Sequence, residues 1–174
     1  MPRNELLTLP NIISVLRLLL APFFIMSGRA ETRVFLVILA AASDMLDGWL
    51  ARRRRMASRA GAIIDPVADR IFVLTALVVL LVEGALSVGQ TLVLLLRDVM
   101  TTIGFIVARG VSWLRPVEFR ARIAGKVVTT LQIATLLAAL LRQELVPALV
   151  LVTGIAAAYS VVDYTLALWR ARVT

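Results

Sequence analysis

Four aspartates stand close together in an otherwise oily chain: Asp44 and Asp47, three residues apart, and Asp65 and Asp69, four apart. On helices either spacing puts both members of a pair on one face. Both pairs lie where apolar runs approach the same end. Carboxylates beside hydrocarbon are very costly unless something positive compensates them. Hard divalent cations take carboxylate oxygens, so the pattern points to a metal-dependent site at a membrane surface. The chain has no histidine and no cysteine. That removes the commonest general base, a thiolate metal site and any disulfide. Acid–base chemistry therefore falls to Asp, Glu, Lys, Tyr or water.

The elements that must position these residues are apolar and long. Sixty per cent of the 174 residues are hydrophobic and 17% are charged, with a mean hydropathy of +0.92. A soluble domain of this size cannot hide so much apolar surface. Six apolar runs are expected to be membrane helices, at 9–27, 34–51, 62–82, 88–108, 123–141 and 146–169, at about 20 residues per span. The expected fold class is an all-α integral membrane bundle of six transmembrane helices with the metal site at its cytoplasmic end. Residues 1–174 are expected to form a single domain, with no soluble module, low-complexity linker or internal repeat. Arg17 interrupts the first run and no small-residue cleavage pattern follows it, so that run does not read as a signal peptide.

Orientation follows from lysine and arginine. With six spans, the side holding both termini and the breaks after spans two and four carries fourteen basic residues, among them Arg52, Arg109, Arg115, Arg120, Arg122 and Lys126. The other side carries Arg29, Arg33 and Arg142. Basic loops stay cytoplasmic, which places both termini and the aspartates on the cytoplasmic side. The excess of 19 basic over 11 acidic residues is met by this topology and by anionic lipid, so nucleic acid is not needed as a partner.

The segment from Asp44 to Asp69 also resembles the signature of the CDP-alcohol phosphatidyltransferases, D-x2-D-G-x2-A-R-x8-G-x3-D-x3-D. Asp44, Asp47, Gly48, Ala51, Arg52, Gly61, Asp65 and Asp69 occupy its eight fixed positions without departure. The resemblance implies a six-helix membrane fold over the whole chain, two Mg²⁺ or Mn²⁺ ions on Asp44, Asp47, Asp65 and Asp69, and a homodimer. It implies CDP-diacylglycerol as substrate, bound through Gly48, Ala51, Arg52 and Gly61, with Arg52 on a nucleotide phosphate. Gly48 and Gly61 also read as helix-packing glycines. Beside carboxylates, they would let a bulky nucleotide approach the backbone. Arg53, Arg54 and Arg55 read as a stop-transfer run. In the family a Pro-Asn pair followed by Arg helps hold the diphosphate, which carries Asn11 over. Arg17, within the first span, reads either as functional or as the structural partner of a buried carboxylate.

A second informative stretch runs from Arg115 to Gln132. As a cationic cluster it could simply anchor to lipid headgroups. Yet Gly125, Lys126, Thr129 and Gln132 resemble the G-K-x2-T-x2-Q stretch of phosphatidylglycerolphosphate synthases, whose acceptor is glycerol 3-phosphate. Its dianionic phosphate would be met by Lys126, Arg109, Arg115, Arg120 and Arg122. Arg97-Asp98 and the Ala157-Ala158-Tyr159 neighbourhood look somewhat like cardiolipin synthases of the same family, with phosphatidylglycerol as acceptor. Arg97 and Asp98 read either as a pair or as pointing to opposite faces, and Asp163 has the same ambiguity.

The chemistry this implies is attack of an acceptor hydroxyl on the phosphorus bearing diacylglycerol, with CMP leaving. Without histidine, Asp69 is the best candidate base, the role the family gives its last aspartate. Oxygen-only ligands favour Mg²⁺ or Mn²⁺ over Zn²⁺. The expected location is a bacterial inner membrane, with the polar acceptor reaching the site from the cytoplasm. Inositol phosphate, serine or choline acceptors remain alternatives within the family. An intramembrane ion transporter would place acids deep in several spans with inverted repeats. Here the acids gather at one surface.

Overall fold

A computed structural model describes residues 9–54, 61–110 and 123–173, and within them the side chains of 13–46, 67–96, 98–100 and 125–162. The described residues are helical and contain no strand. The six α-helices are α1 (Leu9–Met26), α2 (Ala30–Arg54), α3 (Gly61–Val82), α4 (Val88–Gly110), α5 (Ile123–Leu141) and α6 (Val146–Val173). A 3₁₀ turn, Gln143–Leu145, joins the last two. The apolar runs read from the sequence coincide with these helices. The largest difference is α2, which starts four residues earlier and ends three later than the run at 34–51.

Local signals explain the breaks. Gly84 ends α3 with φ of 75°, a left-handed conformation that glycine adopts without steric cost. The Gly84 N–H donates to the Leu81 carbonyl at 3.1 Å and the Ala85 N–H to the Leu80 carbonyl at 2.9 Å. This pair of bonds is the Schellman motif, which satisfies carbonyls left over at a helix end. Three residues on, α4 opens with a capping box: the Gln90 N–H donates to Ser87 Oγ at 3.3 Å, and the Ser87 N–H donates to Gln90 Oε1 at 2.8 Å.

The chain divides into two compact units, residues 1–85 and 86–174. In the first, α1 packs against both α2 and α3. The buried face of α3 is Ala68, Phe72, Val73, Ala76, Leu77 and Leu80, the spacing of a single helical stripe. Ala21 of α1 and Ala40 of α2 are buried too, and such small side chains let helix backbones approach closely. Phe24 meets Phe72 edge-to-face, with ring centroids 5.9 Å apart.

In the second unit α6 packs against α4 and α5. Its buried stripe, Val146, Val150, Thr153, Ala157 and Ser160, repeats at alternating steps of four and three. Gly154 lies against α4, where an added Cβ would fall 2.9 Å from Val93 Cγ1. A larger residue there would push the two helices apart.

Both units have an apolar core, but they also bury polar side chains and turn many large apolar ones outward. Arg17, Ser14, Gln132, Thr135, Thr153 and Ser160 are buried, while Leu16, Leu19, Phe23, Phe35, Leu92, Leu151 and Ile155 face outward. Among the described residues one helical stretch, Gln143–Val162, is long and apolar enough to cross a membrane, at 20 residues and mean hydropathy 2.2. Only 28% of that window is buried, unlike the core helix of a soluble protein. Ile13–Met26 and Gly125–Leu141 are shorter apolar stretches.

Candidate functional site

In the first unit an arginine that hydropathy alone would not predict meets one of the signature aspartates. Arg17 lies on the inward face of α1 with its side chain 0% exposed. Its Nη1 donates to Asp44 Oδ1 at 3.1 Å, and its Nε donates to Ser43 Oγ at 3.1 Å. Ser43 in turn donates to the Ala40 carbonyl at 2.8 Å, so its oxygen is turned to accept from Arg17. Arg17 is therefore paired with a signature carboxylate. The Asp44 side chain remains 49% exposed.

Contacts at both ends of α2 set the directions of the three helices. Arg33 of α2 reaches the Phe24 carbonyl near the end of α1, while Arg17, nearer the start of α1, reaches Asp44 further along α2. The two helices are thus antiparallel. Arg33 also pairs with Glu83 just beyond α3, which sets α3 parallel to α1. Phe24 packs on Phe72, and Arg17 precedes Phe24 by the same seven residues by which Asp65 precedes Phe72. With α2 antiparallel to α3, the second half of α2, which carries Asp44 and Asp47, and the first turns of α3, which carry Asp65 and Asp69, lie toward the same end of the unit. Asp47 lies about one turn beyond Asp44 along α2, and Asp69 about one turn beyond Asp65 along α3, in the opposite direction. Asp69 is half-buried and Arg70 exposed.

The other end of this unit is closed by a different device. Arg33 donates to both carboxylate oxygens of Glu83, through Nη2 to Oε1 at 2.7 Å and through Nη1 to Oε2. Its Nε donates to the Phe24 carbonyl at 3.3 Å, and its guanidinium lies over the Phe24 ring. The hydrogen bond from Arg33 holds the Glu83 carboxyl below the usual carboxylate range, aided by the charge of Arg33 and opposed by burial. The same hydrogen bond raises the Arg33 guanidinium, with burial opposing it. The pair lies just outside the apolar runs and ties α2 to the end of α3. The sequence showed Arg33 only as a charge and Glu83 only as a break.

In the second unit Gln132 of α5 donates through Nε2 to the Leu94 carbonyl at 2.7 Å and to Asp98 Oδ2 at 2.8 Å. Gln132 thus ties α5 to α4 and holds a carboxylate set in an apolar helix. Asp98 thus has a partner on a neighbouring helix. Lys126 is exposed in the first turn of α5. The hydroxyls of Thr129 and Thr130 donate to the carbonyls of Gly125 and Lys126.

Several expected site residues fall outside what is described. Arg115, Arg120 and Arg122 lie outside the described residues. Asn11 on α1, Asp47, Gly48, Ala51 and Arg52 on α2, Gly61 and Asp65 on α3, Arg97 and Arg109 on α4 and Asp163 on α6 are placed by backbone alone. Among the described side chains no group of three or more His, Cys, Asp or Glu is gathered for a metal ion. Two of the four signature carboxylates are not among those side chains. The donors that are described, a half-exposed Asp44 and a half-buried Asp69, are hard oxygens suited to Mg²⁺ or Mn²⁺. Ser43 is the contact that sequence reasoning missed, since one serine in a helix carries no signal of its own.

Comparison with known proteins agrees with the signature. The family model for CDP-alcohol phosphatidyltransferases matches residues 7–168. A Mycobacterium tuberculosis protein with a provisional cardiolipin synthase name is 35% identical over 128 residues, covering 70% of this chain. The chain spans 61% of the length of that relative. A CDP-diacylglycerol–glycerol-3-phosphate 3-phosphatidyltransferase of Pectobacterium atrosepticum is 30% identical over 92% of this chain and 89% of its own length. A protein of that name from Pseudomonas fluorescens is 40% identical over 56% of this chain and 58% of its own length.

Proposed function

Because the chain belongs to the CDP-alcohol phosphatidyltransferase family, we propose that it is a membrane enzyme that transfers the phosphatidyl group of CDP-diacylglycerol to glycerol 3-phosphate. The observation that carries this reading is the Arg17–Asp44 pair, together with the placement of all four signature aspartates toward one end of the first unit. The match to the Pectobacterium relative over most of both chains favours glycerol 3-phosphate. The mycobacterial relative supports a second reading, phosphatidylglycerol as acceptor and cardiolipin as product.

Asp44, Asp47, Asp65 and Asp69 would hold two divalent ions, Mg²⁺ or Mn²⁺, which when bound neutralise charge on the diphosphate and on departing CMP. Asn11, Gly48, Ala51, Arg52 and Gly61 bind CDP-diacylglycerol, the glycines giving its nucleotide room against the backbone. Lys126 with Arg109, Arg115, Arg120 and Arg122 takes the acceptor phosphate. Asp69 accepts the proton of the acceptor hydroxyl. A bond forms from that oxygen to the phosphorus carrying diacylglycerol, the bond from this phosphorus to the CMP oxygen breaks, and CMP leaves. The reading is tested with purified protein, labelled CDP-diacylglycerol, Mn²⁺ and a panel of acceptors. Phosphatidylglycerol phosphate is the expected product. Turnover with phosphatidylglycerol alone overturns the acceptor, and no CMP release with any acceptor overturns the activity.

Both units are read as parts of a single catalytic membrane domain, which the span of the family match supports. The helices run from 18 to 28 residues, about 27–42 Å at 1.5 Å per residue, enough for a hydrocarbon core of about 30 Å. Six spans with both termini and the aspartates in the cytoplasm follow from the arginine bias, and the protein is read as a homodimer in a bacterial inner membrane. Absence of native cysteine makes labelling clean. Ala57→Cys and Glu118→Cys are expected to react with an impermeant maleimide only from the cytoplasmic side, and Ala30→Cys and Gln143→Cys only from outside. Inverted labelling overturns the orientation.

A further inference from the structure

Arg17 and Asp44 do not make an ordinary core ion pair. The cation is fully enclosed between helices while its carboxylate is 49% exposed. A guanidinium in an apolar bundle is expensive to bury, and an exposed carboxylate gains little from the pairing. The arrangement is therefore poorly suited to stability and well suited to aim. Arg17 holds one oxygen of Asp44 through Nη1, and its own plane is fixed by the Nε bond to Ser43. Ser43 is in turn anchored on the α2 backbone at Ala40. The fork spans two consecutive residues of α2, so it sets both the azimuth of α2 against α1 and the rotamer of Asp44.

We propose that Arg17 is a positioning residue which, with Ser43, presents the Asp44 carboxylate to a divalent cation. The inference rests on reading Asp44 as a metal ligand. A charged group that orients a ligand acts on metal affinity, and partners of this kind are worth about 10- to 100-fold in binding. Lysine keeps the charge but lacks the planar fork, so it cannot bond Ser43 and Asp44 in the same geometry.

The test is Mn²⁺ binding to the purified, detergent-solubilised full chain without substrate, read by the electron paramagnetic resonance signal of free Mn²⁺. The variants are Arg17→Gln, Arg17→Lys, Ser43→Ala and, as reference, Asp44→Asn. Arg17→Gln is expected to weaken binding by about 10-fold or more. Arg17→Lys should recover part of the loss, and Ser43→Ala should show a smaller one. A purely structural role would lower the unfolding temperature and leave Mn²⁺ affinity in the folded fraction unchanged. Unchanged or tighter binding in Arg17→Gln, with binding lost in Asp44→Asn, overturns the positioning role alone. Wild-type affinity in Asp44→Asn overturns the metal reading itself, and this inference with it. Where Arg17→Gln does not fold, Ser43→Ala carries the test, and an unchanged affinity there overturns the proposal.

Discussion

Asp69→Asn is expected to abolish nearly all transfer while the protein remains folded and extractable, with kcat falling by about 10²–10⁴-fold for loss of the base alone. Asparagine copies the shape of aspartate but can neither take a proton nor carry charge. Asp44→Asn, Asp47→Asn and Asp65→Asn should each be comparably damaging, for a different reason. In the proposed site four carboxylates would balance two divalent ions, and removing one charge would leave it less able to hold both. The two causes separate in Mn²⁺ binding. Asp69→Asn should lose turnover more than it loses metal, whereas the other three should lose both together. Chelation of the wild-type protein with EDTA should stop turnover reversibly, with recovery on adding Mg²⁺ or Mn²⁺. Full activity in Asp65→Asn with metal still bound would sink the assignment.

The second large effect concerns the acceptor. Lys126→Ala and Arg120→Ala are expected to raise KM for glycerol 3-phosphate by about 10- to 100-fold. A phosphate dianion gains charge-assisted hydrogen bonds of roughly 1.5–3 kcal/mol each, and about 1.4 kcal/mol corresponds to a factor of ten. KM for CDP-diacylglycerol should hardly move, because the proposed function assigns that substrate to Asn11, Gly48, Arg52 and the aspartate site. Lys126 is exposed in the first turn of α5, so its truncation costs little packing and the kinetics report on the contact. Steady-state rates with each substrate varied in turn make the comparison. An unchanged KM for glycerol 3-phosphate in every variant favours phosphatidylglycerol as the acceptor.

Much of this protein is written locally and is therefore legible in its sequence. Each helix is a long apolar run bounded by breakers, and Gly84 and the Ser87–Gln90 pair stop α3 and start α4 by bonds within a few residues. The aspartate signature is likewise local, since spacings of three and four define a face on any helix. That places the candidate site on α2 and α3 and assigns its family. Hydropathy was less informative at the ends of α2, whose first turn carries Ala30, Glu31 and Arg33. Of these, Arg33 is bound to Glu83, a contact made 50 residues away.

What only the tertiary structure decided is which charge meets which. Arg17 with Asp44, Arg33 with Glu83 and Gln132 with Asp98 join residues 27, 50 and 34 positions apart. Each pairing depends on how far two helices are rotated and slid against one another. Helix period fixes the face a residue occupies but carries no information about the level at which a neighbouring helix presents its own. That level is set by the packing of Phe24 on Phe72 and of small residues such as Ala21, Ala40, Ala68 and Ala76. Alanines read from sequence as filler thus determine how closely α1 approaches its neighbours, and so whether an arginine in the first helix can reach an aspartate in the second.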